Sequence, residues 1–358
     1  MMISFGFLTI HSHQEHPYVT EIAKRAHEYG ITCYRFTPFC IHPKDELVHG
    51  EKFDATANEW KEEKFPLPSF IYDRCYYKHD SISKRAKPIV QWLKKSPLTT
   101  FLGHGLPSKS EVYETLSEHP VLSPYIPKTE KAESSLHILQ TLLREKTILL
   151  KPDNGSQGRG IIVLSFYNSR VKVQSQTGQD LSELSFQDED SFHKWMTRRL
   201  ERGSLLIQPL LNIHNYEGKP FDIRVLLQKG AQGNWIEAGR GIRQAQSGQI
   251  LTNVSHGADI TSFDEGLRGF SPSQKRFIHD ELNSIIPLIP IALEKAFSPL
   301  FELGIDICID RRGAIWVLDM NSKPGRKIVL STSPEEEERL YRRPLAYCRY
   351  LSETKLMV

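Results

Sequence analysis

The chain has 358 residues, of which 39% are hydrophobic and 25% charged, with a formal net charge of +3 at pH 7. These values fit a soluble globular protein of two or three lobes and exclude large-scale disorder. Neither a Lys/Arg block nor an arginine-rich helix marks a nucleic-acid footprint, and no apolar run approaches the roughly eighteen residues of a membrane span, so neither nucleic-acid binding nor a membrane span is expected.

Cys33, Cys40, Cys75, Cys308 and Cys348 are irregularly spaced and form no CxxC pair. Neither a disulfide framework nor a zinc site is indicated, and a reducing cytoplasm is the expected compartment. The apolar stretch 1–10 lacks a basic n-region and a small-residue cleavage site, so it reads as a buried first strand and not as a signal peptide.

Residues 3–8 and 31–36 read as strands on either side of an amphipathic helix over 17–29, in which Val19, Ile22, Ala23 and Ala26 share one side and Gly30 supplies the stop. Such a βαβ opening favours a parallel sheet with flanking helices. A further strand is expected at 69–73 and a basic helix at 81–95. No G-x-G-x-x-G follows the first strand, so this lobe reads as Rossmann-like without its dinucleotide loop. A short strand at 99–102 among Gly- and Pro-containing connections sets the first boundary, giving an N-terminal lobe at 1–105.

A central lobe is expected over 106–204, with helices at 108–116 and 134–144 and a strand at 147–151. That strand runs into Lys151-Pro152-Asp153-Asn154-Gly155-Ser156-Gln157-Gly158-Arg159-Gly160, followed by an apolar strand from Ile161 to Leu164. Its three glycines permit positive φ angles that aim successive backbone N–H groups at one point, a nest for phosphate oxygens, and Lys151 adds a full positive charge beside it. No Gly-Lys-Ser/Thr closes the loop, so it is not a P-loop. A strand at 171–176 and a helix at 190–200 complete the lobe.

The C-terminal lobe, 205–358, opens on the apolar run Leu205-Leu206-Ile207-Gln208-Pro209-Leu210-Leu211. Residues 221–227 read as a strand with Asp222 and Arg224 on one face and Ile223 and Val225 on the other. Strands are also expected at 237–243, carrying Arg240 and Arg243, and at 252–257, carrying Asn253. The stretch 273–297 reads as a long helix interrupted at Pro287 and Pro290, with Phe277, Ile278, Ile285, Ile286, Ile289 and Leu293 in the core. The tail, 333–350, reads as a surface helix.

Residues 305–309 and 314–318 flank Asp310-Arg311-Arg312-Gly313 and read as a β-hairpin. Alternation puts Asp319 and Asn321 on one side of its second strand, with Trp316 and Leu318 on the other, and Asp306 joins the first side. Taken alone, two acids and an amide describe the polar face of an ordinary hairpin. As a cluster they are the hard oxygen donors that Mg²⁺ takes when it also holds a nucleotide's phosphates.

In this order the features resemble the ATP-grasp fold, an α/β chain of α+β lobes with an N-terminal Rossmann-like (pre-ATP-grasp) lobe. The resemblance implies ATP clamped between two sheets. Lys109 matches the fold's first nucleotide-contacting lysine, and Lys151 with Gly155, Ser156, Gln157, Gly158 and Gly160 covers the phosphates. Gln208 and Leu210 take the adenine-reading positions, the donor being the N–H of Leu210 because Pro209 has none. The ribose contact stays open among Asn212, Asn215 and Glu217. Asp306, Asp319 and Asn321 match the residues that hold Mg²⁺, with Mn²⁺ an acceptable substitute. Most members have Glu where this chain has Asp319, which leaves the number of ions at one or two; Gln208 likewise replaces a frequent Glu. Arg224, Arg240 and Arg243 are expected to converge on the γ-phosphate and a developing acyl phosphate, and Asn253 resembles an amide that precedes the metal hairpin.

Gly6-Phe7-Leu8-Thr9, Leu67-Pro68, Ile71-Tyr72-Asp73-Arg74, Pro220-Phe221-Asp222-Ile223-Arg224 and Asn321-Ser322-Lys323-Pro324-Gly325 are similar to segments of the YheC/YheD family, the endospore coat-associated ATP-grasp proteins of spore-forming bacteria. Membership implies an ADP-forming carboxylate ligase of carboxylate–amine type, working in the mother cell or developing spore, or at the coat. Its partners would be ATP, a carboxylate substrate, a nucleophile and spore coat components. The alternative is a coat protein that keeps the ATP-grasp fold and nucleotide binding without turnover.

Overall fold

The computed structural model describes residues 2–42, 47–78, 80–155, 160–177, 180–213, 218–245, 258–310 and 313–356. Among these, the strands form three sheets. The first contains β1 (Ile3–Leu8), β2 (Ile31–Phe36), β3 (Ile41–His42), β4 (Leu47–Asp54), β5 (Glu59–Pro66), β6 (Phe70–Asp73) and β7 (Thr100–Phe101). Its order is β3-β4-β2-β1-β6-β7, with β5 paired to β4. The parallel pair β1–β2 follows from the helical crossover α1 (His16–Arg25), which buries Tyr18, Val19, Ile22 and Ala23, and β6 runs parallel to β1 on its other side. Helix α2 (Ser81–Lys95), capped by the Asp80 side chain on Ser83 N–H, packs Ala86, Val90 and Leu93 into the first sheet's other core.

The hairpin β4–β5 has no counterpart in the sequence reading. Its second strand, EWKEEKFP, is charged on both faces and buries Phe65 alone, so no period-two apolar signal marks it.

The second sheet runs β12-β11-β10-β9-β13-β8. Its strands are β8 (Glu130–Lys131), β9 (Thr147–Pro152), β10 (Ile162–Tyr167), β11 (Arg170–Thr177), β12 (Asp180–Phe186) and β13 (Leu205–Pro209). Helices α4 (Ser135–Glu145) and α5 (Glu189–Leu200) cover it, and its core, from Ala132 to Ile207, draws on this lobe alone. Strand β13 lies just past the expected 204/205 boundary, yet it pairs with β9 and β8, so the change of sheet falls between Pro209 and Phe221.

The third sheet, β16-β15-β14-β17-β18, is antiparallel throughout. It comprises β14 (Phe221–Lys229), β15 (Trp235–Gln244), β16 (Asp259–Ser262), β17 (Glu302–Ile309) and β18 (Ile315–Asn321). One face carries Ile223, Val225, Ile242, Ile305, Ile307 and Val317 against α6 (Phe263–Gly266), α7 (Pro272–Ile285) and α8 (Leu288–Ala296). Helix α3 (Lys109–Ser117) adds Val112, Tyr113 and Leu116 to this same core. The other face packs Leu226 and Ala238 against α9 (Lys327–Thr332) and Leu340.

Two core expectations are corrected. Phe277 is 53% exposed, on the outer side of α7, while Ile278, Ile285, Ile286, Ile289 and Leu293 are buried as expected. The tail is not a surface helix. Helix α10 (Glu337–Leu356) buries Leu340, Leu345, Tyr347 and Cys348, and the last three complete the core of the first sheet beside Phe5, Phe7 and Tyr18. Ion pairs Arg25–Glu338 and Arg342–Glu28 line the seam, and Tyr18 donates to the Leu340 carbonyl at 3.3 Å.

Candidate functional site

The site forms where the Lys-Pro end of β9, the start of α3 and the edge strand β18 meet. Helix α3 begins with a capping box in which Ser108 and Glu111 satisfy each other's backbone N–H groups. Asp153 holds the same helix end, accepting from Ser110 N–H at 2.8 Å and Ser110 Oγ at 3.0 Å, and its carbonyl accepts Lys109 N–H at 3.2 Å. An acid suits the positive end of a helix, and this one fixes Lys109 beside the loop that follows β9. From there Lys109 Nζ reaches Asp319 Oδ2 at 2.5 Å.

On β18 the alternation is broken. The register of β17 with β18 slips after the Asp306–Asp319 pair, so Ile307 faces Val317 and Cys308 faces Trp316. Leu318 is the extra residue of a β-bulge. Trp316 therefore shares the face of Asp306 and Asp319, contrary to the expected alternation, and its ring N–H donates to Asp310. The bulge leaves the Leu318 carbonyl turned to the neighbouring lobe, where it accepts from Lys151 Nζ at 3.1 Å and from the Tyr113 hydroxyl. Lys151 also donates to that hydroxyl and stands 4.1 Å from the Tyr113 ring centre. Tyr113 and Asp153 thus organise the junction. Neither was singled out from sequence, because each acts through a partner on another element.

Electrostatically the junction is tense. Burial drives the Lys151 ammonium down to about 7, with Lys109 pushing the same way and Asp319 and Asp306 pulling against both. Burial raises the Asp319 carboxyl, but Lys109 and Lys151 outweigh it and hold the group below the usual carboxylate range.

Asp306 lies directly across from Asp319 on β17 and across from Arg224 on β14. Its Oδ1 is 2.8 Å from both Arg224 Nη1 and Arg243 Nη2, while Arg243 also grips Asp222 at 2.6 and 2.8 Å. Burial lowers Arg224, which shares its carboxylate; Arg243 is also penalised by burial, yet its two acids carry it well above the ordinary range. The Arg224–Asp306 contact is a close ion pair that is not aligned as a hydrogen bond. Asn321 faces Gly304 on the same side, where a side chain on residue 304 would come within 3.0 Å of Arg224 Nη1 and 2.8 Å of Pro324 Cβ.

The three candidate metal donors therefore share one face and are all oxygen-bearing, with Asp306 Oδ1 held between Arg224 and Arg243. They fit a hard divalent cation. Among the described residues no group of three or more His, Cys, Asp and Glu side chains gathers for a metal.

Arg240 is not part of this cluster. It pairs across from Val225 on the helix-covered face, where Glu237 holds it at 2.6 and 2.7 Å, Asn283 of α7 accepts at 2.9 Å and Phe263 lies under its guanidinium. The expected convergence of three arginines is thus reduced to Arg224 and Arg243. Gln208 is buried on β13 and donates to Thr129 at 2.7 Å, and Leu210 is exposed just after the strand. Gly155 and Gly160 flank the segment expected to bind phosphate, Gly160 at φ +80°, with a side chain there meeting Pro152 Cγ at 2.9 Å. Ser156, Gln157, Gly158 and Asn253 lie outside the described residues, as do Asn215 and Glu217.

A model of YheC/D-like ATP-grasp proteins matches residues 98–351. The endospore coat-associated protein YheC of Bacillus subtilis (strain 168) is 41% identical over 350 residues, covering 98% of this chain and 96% of its own. The chain belongs to the YheC/D-like ATP-grasp family. A second family protein, endospore coat-associated YheD of the same organism, is 24% identical over 333 residues, covering 90% of this chain and 71% of its own. Among solved structures, D-cycloserine synthetase DcsG superposes with a TM-score of 0.56 at 11% identity, covering 98% of this chain and 99% of that one. The D-alanine-D-alanine ligase of Coxiella burnetii gives 0.53 at 14%, covering 99% and 97%. These likenesses establish the ATP-grasp fold for the family member described here, including its first sheet. Among the described residues no helix is long and apolar enough to cross a membrane.

Proposed function

We propose that the chain binds Mg·ATP between its second and third sheets and uses it to activate a carboxylate, as an ADP-forming carboxylate–amine ligase serving spore formation or the spore coat. The observation that carries this reading is the meeting of Lys151 and Lys109, from the phosphate-loop side, with Leu318 and Asp319 on the acidic hairpin.

In this reading Lys151 and the glycine-framed loop grip the phosphates, Lys109 adds a second ammonium, and Gln208 and Leu210 border the base. Asp306, Asp319 and Asn321 would hold Mg²⁺, which when bound screens the charge of the terminal phosphates. Arg224 and Arg243 align the γ-phosphoryl group and the carboxylate, and offset the negative charge that builds on their oxygens. The carboxylate oxygen attacks the γ-phosphorus, the bond to the β,γ-bridging oxygen breaks, and ADP departs. An amine then attacks the acyl carbon, expels phosphate and loses a proton. No side-chain nucleophile is required.

The test is ADP release with a panel of amino acids and peptides, comparing the unmodified chain with Asp319→Ala. Substrate-dependent ADP that disappears in the variant supports the ligase. Tight Mg·ATP binding with no turnover across the panel selects the alternative, a nucleotide-binding coat protein. No magnesium-dependent affinity for adenine nucleotides sinks both.

A further inference from the structure

Each acid of the candidate cation site carries its own counter-charge. Lys109 Nζ lies 2.5 Å from Asp319 Oδ2, the pair being largely buried, at 17% and 18% side-chain exposure. Asp319 Oδ1 accepts Met320 N–H at 3.0 Å, so Oδ2 is the oxygen a metal would contest with the lysine. Across the hairpin Asp306 is already shared by Arg224 and Arg243. A bare divalent ion approaching these carboxylates must displace the ammonium or settle among three full positive charges, and like-charge repulsion is strong where little water intervenes. A triphosphate reverses the balance. Its oxygens offer Lys109 a new anionic partner, and Asp319 becomes available as the metal arrives.

We infer that Lys109 is an internal counter-ion that reserves Asp319 for a metal ion delivered with a nucleotide and discriminates against free divalent cations. The inference rests on the Mg·ATP reading of this site. Lys109 is suited to such an exchange because the helix end that carries it is held independently, by Asp153 and by the Ser108–Glu111 capping box. Its ammonium can change partner while α3 stays in place. The lysine thus has two duties, a phosphate contact and a gate on the order in which metal and nucleotide bind.

The test measures Mn²⁺ binding by electron paramagnetic resonance, with and without ATP, on the unmodified chain, Lys109→Gln, Lys109→Arg, Asp319→Asn and the Lys109→Gln/Asp319→Asn double variant. Without ATP, Lys109→Gln is expected to bind Mn²⁺ about tenfold more tightly than the unmodified chain, the effect of freeing a largely buried carboxylate. Lys109→Arg, which keeps the charge, is expected to stay as weak as the unmodified chain, and the double variant to lose the gain. If Lys109→Gln gains nothing while Mn·ATP still binds in an Asp319-dependent manner, the counter-ion role is overturned and the site stands. If Mn·ATP binding does not depend on Asp319 at all, the reading of the site falls and this inference falls with it. Circular dichroism melts of each variant separate a lost site from a lost fold.

Discussion

Arg74, one residue past the end of β6 in the first sheet, donates to the carboxylate of Glu302 at the start of β17 in the third sheet, and neither side chain reaches solvent. Its remaining donors go to Glu15, the Tyr76 hydroxyl and the carbonyl of Pro324. Pro324 lies three residues beyond Asn321, so this one guanidinium ties the N-terminal lobe to the loop that leaves the candidate metal ligands. Removing it leaves the buried Glu302 carboxylate without its cation.

Arg74→Met is therefore expected to destabilise the protein by about 3–5 kcal/mol, the cost of leaving a buried charge without its partner. Urea unfolding monitored by tryptophan fluorescence measures it. A loss below about 1 kcal/mol would mean that Glu302 finds another cation or is protonated at little cost.

Asp73, the neighbour of Arg74, makes a second tie to the same loop through Lys323 at 2.6 Å. Burial raises its carboxyl, but Lys323, Lys94 and the Cys75 N–H lower it to about 2. Its folded value thus lies below the ordinary carboxylate value, so the stability it contributes is complete above about pH 4 and is lost as pH falls through about 2. Over that window the unmodified chain is expected to lose about 2 kcal/mol that Asp73→Asn does not lose. Parallel stability–pH curves for the two proteins would refute the assignment.

Arg240 and Arg243 are separated by three positions in sequence and lie on opposite faces of β15. Arg240→Ala is expected to leave Mg·ATP affinity within about twofold and to cost about 1 kcal/mol of stability, through its contacts with Glu237 and Asn283. Arg243→Ala is expected to weaken Mg·ATP binding at least about tenfold, because Asp306 and Asp222 lose a shared cation. Isothermal titration calorimetry on both variants decides, and the reverse ranking would restore Arg240 to the site.

Cys33, Cys75, Cys308 and Cys348 are buried, and burial pushes each thiol above its ordinary range; Cys40 is half-buried. Ellman's reagent is expected to modify Cys40 in the native protein and all five in denaturant. Rapid native reaction at Cys33, Cys75 or Cys348 would indicate that one of the two cores around the first sheet opens readily.

Where a segment's own pattern decided its form, the structure agrees with the sequence. Strands Ile3–Leu8 and Ile31–Phe36 and helix Ser81–Lys95 begin and end where periodicity and capping place them. Where a neighbour decided, the pattern was silent or misleading. Strand Glu59–Pro66 carries charges on both faces because solvent covers most of it, with only Phe65 buried in a core. The bulge at Leu318 arises from pairing with β17, so counting along β18 put Trp316 on the wrong side. Arg240, expected from its sequence to converge with Arg224 and Arg243, is set against Val225 by the register with β14. The opposition of Asp306 and Asp319 was legible because a hairpin brings its own partners together, whereas Tyr113 and Asp153 belong to contacts between elements far apart in the chain.

The last long helix carries a consequence for how the molecule is made. Tyr18 and Leu340, joined by a hydrogen bond, are 322 residues apart, and the side chains that cover the first sheet come from Leu345, Tyr347 and Cys348. A ribosome thus releases the opening lobe long before it synthesises the lid for that lobe's apolar face. The part of that face which Leu345, Tyr347 and Cys348 cover, beside Phe5, Phe7 and Tyr18, closes only once those residues have been made, so the packing of this lobe is completed long after its first strands emerge.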